Sequence, residues 1–555
     1  MRINLSLNGD WEACLDPEDQ GESQSYQTGE GSDWHTITVP GDFSQLPGDD
    51  SRYEGVGWYR KTIQIPEDWQ GKYISLNFEA VNKKSKIWIN GEQIGRNRHA
   101  FLPFKCEVDD KFCGTEAQLV LRVDNTQYKD HVPGVGRGWH PFGGIIREVN
   151  LEAKSQCRID NAYITSLMDG NFSCDVSLSN DSDDFEGSLC IRVQGQDFDQ
   201  EMDAQVVDLK AGETISIQAE NLFSGTENWS PDSPALYTAE LELHNGDEIV
   251  DSTSIRFGFR TIRRDGCNLY INDKPFYMTG YNFHADSAET NMCITADEIR
   301  KDFTIMKDTG CNTVRLAHYP HHPHTLDLCD ELGLMALTEI PLYWWRGHGG
   351  EGDEFKNVVK MARKQITRLI NRDRSHPSVI SWSVGNENDS GKPGVNETID
   401  DLIRYAREMD PTRLIIHVSN HWQPGYDHTD RFGEDDIICL NAYPNPEIGH
   451  EFWIKGFKKL HKEYPNTPIM VAEFGGGPAN QGPSYETLFG ALAEHFETED
   501  AHYVVGSLIW CWADHRWPSE LDEFSPYGIL TREREPRPSF EIAGEGFKKL
   551  QERFK

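Results

Sequence analysis

The chain has 555 residues, of which 37% are apolar, and its 54 Lys and Arg face 91 Asp and Glu for a formal net charge of −37. This length exceeds a single ordinary core and predicts several globular domains. Such an acidic surface repels phosphate backbones and anionic bilayers, which excludes nucleic acid and membrane surfaces as expected partners. No stretch approaches the ~20 apolar residues of a membrane span.

The amino-terminal segment and the twelve cysteines bear on the cellular compartment. Residues 1–15 alternate polar and apolar positions and lack the apolar core of a signal peptide, so we predict a strand there. The cysteines form no C-x-x-C pair, and Cys311, Cys439 and Cys511 stand in apolar runs, as buried thiols do. Reduced thiols favour the cytoplasm. The oligomeric state stays open, a homo-oligomer included.

Short strands separated by Gly, Asp, Asn and Pro occupy the chain up to about residue 260. The clearest are residues 72–80, 85–94, 117–123, 172–180, 188–195, 213–220 and 236–243. Their spacing is typical of β-sandwiches. We predict a jelly-roll-like β-sandwich, of the kind that binds sugars, over residues 1–153 and an immunoglobulin-like β-sandwich over residues 154–263.

The pattern changes after residue 264, where apolar strands alternate with amphipathic helices. Eight strands are predicted, at residues 276–282, 312–318, 334–340, 379–387, 413–420, 436–443, 468–474 and 504–514, and a helical stretch follows each but the last. Eight parallel strands with interposed helices predict a (β/α)8 TIM barrel over residues 264–555. The functional site is then expected at the carboxyl ends of the strands.

Two glutamates stand at such strand ends. Glu387 ends the fourth predicted strand and Glu473 the seventh, so both carboxylates are expected on one face of the barrel. Glycoside hydrolysis needs one carboxyl group to protonate the leaving oxygen and another to attack or to activate water. Asn386 could hydrogen-bond the sugar hydroxyl next to the anomeric carbon or simply form a turn. Either glutamate alone would be an ordinary solvated strand end, but the pair predicts a glycosidase.

Residues 372–388, RDRSHPSVISWSVGNEN, closely resemble the acid/base signature of glycoside hydrolase family 2. The resemblance extends over essentially the whole chain through LNGDW (7–11), GVGWYRKTI (55–63), KIWINGEQIG (86–95), FGGIIREV (142–149) and FGFRTI (257–262). It implies a retaining exo-β-glycosidase that works by double displacement through a covalent glycosyl-enzyme. Glu387 is then the general acid/base, Asn386 the partner of the 2-hydroxyl, and Glu473 the nucleophile.

The same resemblance implies a substrate-binding wall made of Asn282, His284, His318, Tyr443 and Trp510. Trp510 offers a flat apolar face to a sugar ring, and the Tyr443 hydroxyl could orient the nucleophile. The competing interpretations are barrel packing for Trp510 and a satisfied core histidine for His318.

The identity of the sugar depends on positions near the last barrel segment. The family's glucuronidases carry an Asn-x-Lys element whose lysine pairs with the sugar carboxylate, and here Ser525 and Tyr527 stand at those positions. Arg532 or Arg534 could substitute for that lysine. We expect neutral β-galactosides as substrates. Glucuronides, galacturonides, arabinosides, galactofuranosides and mannosides are compatible with the same glutamate pair.

No obligatory cofactor is expected. The family's magnesium-dependent galactosidases use a Glu-x-His pair after the third strand, and this chain has Tyr343 and Trp345 at those positions. This aromatic pair is suited to a sugar platform, so we predict Trp345 as a substrate-binding residue. Two hypotheses from other classes remain. One is an inactive carbohydrate-binding protein, and the other is a metal-dependent barrel hydrolase that uses the histidines His318, His321, His322 and His324.

Overall fold

The computed structural model describes residues 2–31, 33–47, 53–347, 351–423, 430–498, 502–518 and 524–554. The predicted fold class is confirmed: two β-sandwich domains precede a closed barrel of eight parallel strands. The described residues contain no α-helix before Ala296, only short 3-10 turns. None of the described helices combines the length and apolarity needed to cross a membrane.

The first domain consists of two main antiparallel sheets around one core. Alternate residues of Glu116–Asp124, such as Leu119, Leu121 and Val123, point into that core, as the period of a half-buried strand requires. In spatial order, the first sheet consists of Ile3–Ser6, Val149–Lys154, Tyr73–Phe78 and Phe104–Glu107. The second sheet consists of His35–Val39, Gly9–Asp16, Val56–Gln64, Glu116–Asp124, Lys84–Ile89 and Glu92–Asn97. A short additional pair is formed by Gly41–Asp42 and Gly144–Ile145.

The second domain is a smaller sandwich with its own core. Leu189, Ile191 and Val193 alternate inward along one strand and pack on the opposite sheet. The first sheet consists of Cys157–Ser166, Asn171–Asn180 and Glu213–Leu222. The second sheet consists of Phe198–Glu201, Phe185–Gly195, Tyr237–Asn245 and Glu248–Phe257, and Gln205–Leu209 also pairs with Phe185–Gly195.

All eight predicted barrel strands form. They are β1 Met278–Phe283, β2 Thr313–Leu316, β3 Met335–Glu339, β4 Val379–Asn386, β5 Leu414–Ser419, β6 Ile438–Asn441, β7 Ile469–Phe474 and β8 Val504–Ile509. Met278 pairs with Gly506, which closes the barrel. Ahead of β1 lies a small sheet of Ile262–Asp265, Asn268–Ile271 and Lys274–Pro275. Its Leu269 and Ile271 pack with Met335 and Ile416 and plug the amino-terminal end, so the carboxyl end carries the opening.

The helices are α1 Ala296–Asp308, α2 Pro323–Leu332, α3 Gly352–Asp373, α4 Val395–Met409, α5 Pro446–Glu463, α6 Gln481–Thr498 and α7 Ser539–Phe554. The helix predicted between β5 and β6 is absent from the described residues of this connection, 420–423 and 430–437; residues 424–429 lie outside the described part of the chain. This connection is rich in Gly and Asp, which favour turns. Its Asp435 and Asp436 instead accept hydrogen bonds from β5 backbone amides at 2.7 Å each. The additional helix α7 follows β8.

Candidate active site

The two glutamates lie together at the carboxyl end of the barrel. Glu387 directly follows β4 and Glu473 is in β7, and both line one cavity of about 350 Å³. Of the other predicted site residues, Tyr443 and Trp510 line it as well. The remaining lining residues are Tyr343, Trp344, Trp517, Phe524, Ser525, Pro526 and Tyr527. A carboxylate pair thus faces a mostly aromatic chamber of a size that suits a sugar.

Glu473 is almost completely buried and has both carboxyl oxygens engaged. Arg315 Nη1 donates to Oε1 at 2.6 Å, and the Tyr443 hydroxyl donates to Oε2 at 2.7 Å. Burial raises the pKa of Glu473 to about 7, although Arg315 opposes that rise and Glu387 adds to it. The carboxylate is therefore held in one orientation by two donors.

Glu387 is bound by neutral donors only. Trp344 Nε1 donates to Oε2 at 2.7 Å and Asn441 Nδ2 donates to Oε1 at 2.8 Å. Its backbone φ of +49° lies in the left-handed region, where a non-glycine residue is strained. Burial raises the pKa of this carboxyl, which favours its protonated form.

Arg315 in β2 connects most of the polar groups beneath the cavity. Besides Glu473, it donates to Asn282 Oδ1 at 2.9 Å, Glu339 Oε2 at 2.7 Å and Asn386 Oδ1 at 2.8 Å. Because a guanidinium can only donate, the atom that Asn386 turns toward it is the oxygen. In the described part of the chain Asn386 Nδ2 has no partner, although it is buried. A donor is therefore available there for a ligand.

Glu339, at the end of β3, orients His318. The carboxylate contacts His318 Nδ1 at 2.8 Å and accepts from the Ser383 hydroxyl at 2.8 Å. Burial raises the pKa of Glu339, but Arg315 and His318 outweigh it and lower the pKa to about 2. Burial lowers the pKa of His318 to about 4, so its ring is neutral. Because Nδ1 donates to Glu339, Nε2 is left as an acceptor, and it lies 3.8 Å from Glu473 Oε1.

Five predicted site residues do not line this cavity, and two of them, Asn386 and His318, belong to the Arg315 network described above. Asn282 donates to the carbonyls of Ala472 and Ile509 at 2.8 and 3.1 Å, so its amide ties β1 to β7 and β8. His284 stacks on His515, with ring centroids 4.0 Å apart. Trp345 lines a neighbouring cavity, and Trp344 contacts Glu387 in its place. Trp344 has a φ of +48°, a turn that separates the directions of the two indoles.

The histidines proposed as metal ligands have separate partners. His318 contacts Glu339, His321 Nε2 contacts the Ala317 carbonyl at 3.1 Å, and His322 contacts Glu148 at 2.6 Å with His324 stacked on it. Among the described residues, the cluster with ligand-like spacing is Asp327, Asp330 and His376, which lies outside the cavity. The histidine geometry gives no support to a metal hydrolase.

The first sandwich domain also contributes to the site. The Trp139 ring lies 5.3 Å from Tyr343 and 6.0 Å from His318, centroid to centroid. Gly138 lies in the loop between the strands Glu116–Asp124 and Gly144–Ile145. A Cβ at Gly138 would come within 2.7 Å of the Tyr343 hydroxyl, so this loop can approach the barrel closely only because the residue is glycine.

Sequence reasoning missed Arg315, Glu339, Trp344, Asn441 and Trp139. Two of them carried a readable signal: Arg315 and Glu339 are charges within apolar barrel strands, and a buried charge must find a partner. Asn441 is placed by the end of β6, Trp344 by a turn and Trp139 by domain docking.

The positions that bear on a sugar carboxylate are also defined. Ser525 and Tyr527 line the cavity, and no Lys or Arg is among its described lining residues. Arg532 pairs with Asp286 at 2.7 Å, and Arg534 pairs with Asp302 at 3.0 Å. Both arginines are therefore engaged by carboxylates outside the cavity.

Two β-sandwiches followed by a TIM barrel with a buried glutamate pair at its carboxyl end define the class of multidomain glycosidases. Family models agree: "Glycosyl hydrolases family 2, TIM barrel domain" matches residues 262–552, the family's "sugar binding domain" matches residues 5–155, and "Glycosyl hydrolases family 2" matches residues 157–260. The chain belongs to glycoside hydrolase family 2.

Relatives in this family carry two different names. A beta-galactosidase of Thermoanaerobacter pseudethanolicus is 29% identical over 96% of this chain and 70% of its own. A putative beta-glucuronidase of Formosa agariphila is 28% identical, and the match covers 80% of this chain and 54% of the length of that protein. The solved Ruminococcus gnavus beta-glucuronidase shares the fold, with a TM-score of 0.86 at 21% identity and 98% of each chain covered.

Proposed function

We propose that the protein is a retaining exo-β-glycosidase that hydrolyses terminal, non-reducing β-linked sugars, with β-galactosides as its first substrate class. The observation that carries this proposal is the buried Glu473, fixed by Arg315 and Tyr443 in the same cavity as Glu387. Hydrolysis of a panel of nitrophenyl glycosides tests it. Sugar binding without turnover would favour the inactive carbohydrate-binding alternative instead.

In the proposed reaction, Glu473 attacks the anomeric carbon while Glu387 protonates the leaving oxygen, so one C–O bond forms as the other breaks. Glu387 then removes a proton from water, which displaces Glu473 and restores both groups with the original configuration. The donors support this division of roles. The guanidinium at Glu473 favours a carboxylate, whereas Glu387 has only neutral donors and can keep the proton.

The surrounding groups fit a bound sugar. Asn386 Nδ2, the unpartnered donor, would hold the 2-hydroxyl, where a hydrogen bond strengthens at the transition state. His318 Nε2 would accept from a second hydroxyl, and Trp510, which stacks on His318 at 5.0 Å, would offer an apolar face to the ring. Asn282 and His284 would act behind these groups by positioning Arg315 and the aromatic wall.

The pH dependence should report the ionisation of Glu473. Its raised pKa means that kcat/KM falls as pH drops below about 7, because protonation removes the attacking carboxylate. Glu387→Gln removes a carboxyl group whose ionised form raises this pKa, and it should shift the acid limb to lower pH. Tyr443→Phe removes a hydrogen bond that lowers it and should shift the limb to higher pH. Profiles on an activated aryl glycoside check both, and shifts of the same sign would contradict the assignment.

A neutral sugar is proposed because no cation lines the described cavity and both nearby arginines are paired. Burying an unpaired carboxylate costs several kcal/mol. A β-glucuronidase is the second candidate, favoured by the name of the Formosa relative.

A preference for β-galactoside over the matching β-glucuronide in kcat/KM is the expected result. The double variant Ser525→Asn, Tyr527→Lys should raise glucuronide cleavage by at least about tenfold, because a cation would pair with the buried carboxylate. The double variant Ser525→Asn, Tyr527→Met, which has an unbranched side chain like that of lysine but no charge, is the matched control. A wild-type enzyme that already prefers the glucuronide would overturn the proposal.

The cellular location is proposed to be the cytoplasm. All twelve cysteines are free thiols, which suits a reducing compartment.

A further inference from the structure

A second cavity, of about 230 Å³, adjoins the active-site cavity and shares Tyr343 and Trp344 with it as walls. Its other walls come from two domains. The first sandwich contributes Lys129, His131 and Val135, from the loop between Glu116–Asp124 and Gly144–Ile145. The barrel contributes Trp345 and Arg346, from the segment after β3. A Cβ at Gly136 would lie 3.3 Å from Trp344 Cβ, so the sandwich loop and the barrel meet directly at this wall.

The position of this second cavity relates it to the leaving group. Trp344, the shared wall, donates its Nε1 proton to Glu387 at 2.7 Å. If Glu387 protonates the leaving oxygen, the leaving group departs on the Glu387 side of the sugar. A leaving group longer than one ring would then extend past Trp344 into the second cavity.

Two cationic side chains, Lys129 and Arg346, line the second cavity of this acidic protein. Lys129 is exposed, and the Arg346 side chain is 56% exposed while it pairs with Asp389 at 2.7 Å. No Asp or Glu is among the described lining residues, in a chain whose net charge is −37. Lys129 and the exposed part of the Arg346 side chain would attract an anion to this cavity.

Two residues that line the second cavity carry an unused donor and an unused acceptor. Trp345 Nε1 is buried without a partner, and an indole N–H can only donate. His131 Nε2 is also buried without a partner, and since Nδ1 contacts Asp130 at 2.9 Å, the neutral ring leaves Nε2 as an acceptor. A sugar hydroxyl both accepts and donates, so a saccharide can use the two atoms.

We propose that the second cavity binds a saccharide leaving group that carries a negative charge, a carboxylate or a sulfate ester. The inference rests on the proposed glycosidase function and adds the class of leaving group to it. Lys129 and Arg346 would contact the anion, and Trp345 and His131 would contact the hydroxyls.

The test compares matched trisaccharides in which the preferred non-reducing sugar is linked to a two-ring leaving group. One pair has a reducing-end uronate or the same residue reduced to the alcohol, and a second pair has a sulfated or unsulfated reducing end. We expect kcat/KM to favour the anionic member roughly fivefold, the size of two partly exposed ion pairs, and the ratio to fall as NaCl is raised. A preference confined to one pair identifies which anion is recognised.

The variant Lys129→Met, Arg346→Met should bring both ratios to about one without changing hydrolysis of uncharged nitrophenyl glycosides. Lys455→Met, at an exposed lysine on α5, is the matched control and should keep the wild-type ratio. Equal rates on neutral and anionic trisaccharides in the wild type, or a ratio that survives the double variant, would overturn the inference. Failure to cleave any nitrophenyl glycoside would instead overturn the proposed function.

Discussion

Replacing Glu473 by Gln should lower kcat by about four orders of magnitude or more, because the variant has no carboxylate to attack the anomeric carbon. The amide keeps the size of the side chain, so the cavity is retained. Turnover of an activated aryl glycoside measures the loss. Glu451→Gln, at an exposed glutamate on α5, is the matched control and should keep wild-type activity.

A fluoroglycoside that stalls at the covalent intermediate gives an independent readout. It should label the peptide that contains Glu473, and mass spectrometry should find the added sugar on that residue. A label on any other barrel carboxylate would refute the assignment of the nucleophile.

The variant Glu387→Ala should lose about 10²- to 10⁴-fold in kcat/KM on poor leaving groups, the usual range for a general acid. Activated phenolates depart without a proton, so their first step should be almost unaffected. Plots of rate against leaving-group pKa should therefore become much steeper than for the wild-type enzyme. Equal losses for good and poor leaving groups would contradict the role of Glu387.

Added azide distinguishes the two glutamates by stereochemistry. In Glu387→Ala, azide should intercept the glycosyl-enzyme from the open face and give a β-glycosyl azide. In Glu473→Ala, azide would take the place of the nucleophile and give the α-product. The reverse pattern would exchange the two roles.

The network below the cavity explains why single residues are expected to act together. Arg315 contacts Glu473, Glu339 and Asn386 with both terminal nitrogens. Glu339 in turn fixes the ring of His318. Charges buried in this way depend on one another, because each would be costly to leave unpaired.

The sequence by itself determined the order of the domains and all eight barrel strands. Hydrophobic periodicity is a local property, and it marked Val379–Asn386 and Ile469–Phe474 as buried strands, with Glu387 directly after the first and Glu473 next to the end of the second. The topology of a barrel then brings strand ends together, so Glu387 and Glu473 could be placed in one site without coordinates. The described part of the connection after β5 lacks the predicted helix, and its Asp435 and Asp436 side chains accept from backbone amides of β5.

Only the tertiary structure decided which groups hold the two glutamates. Arg315 and Glu339 lie 24 residues apart in the chain, and Glu473 lies 158 residues from Arg315, so their contacts depend on barrel closure. Trp344 replaces Trp345 at Glu387 because of one left-handed backbone angle. Trp139 enters the site through the docking of another domain. Periodicity describes which face of a strand is buried, but contacts between distant segments depend on packing, which has no local signature.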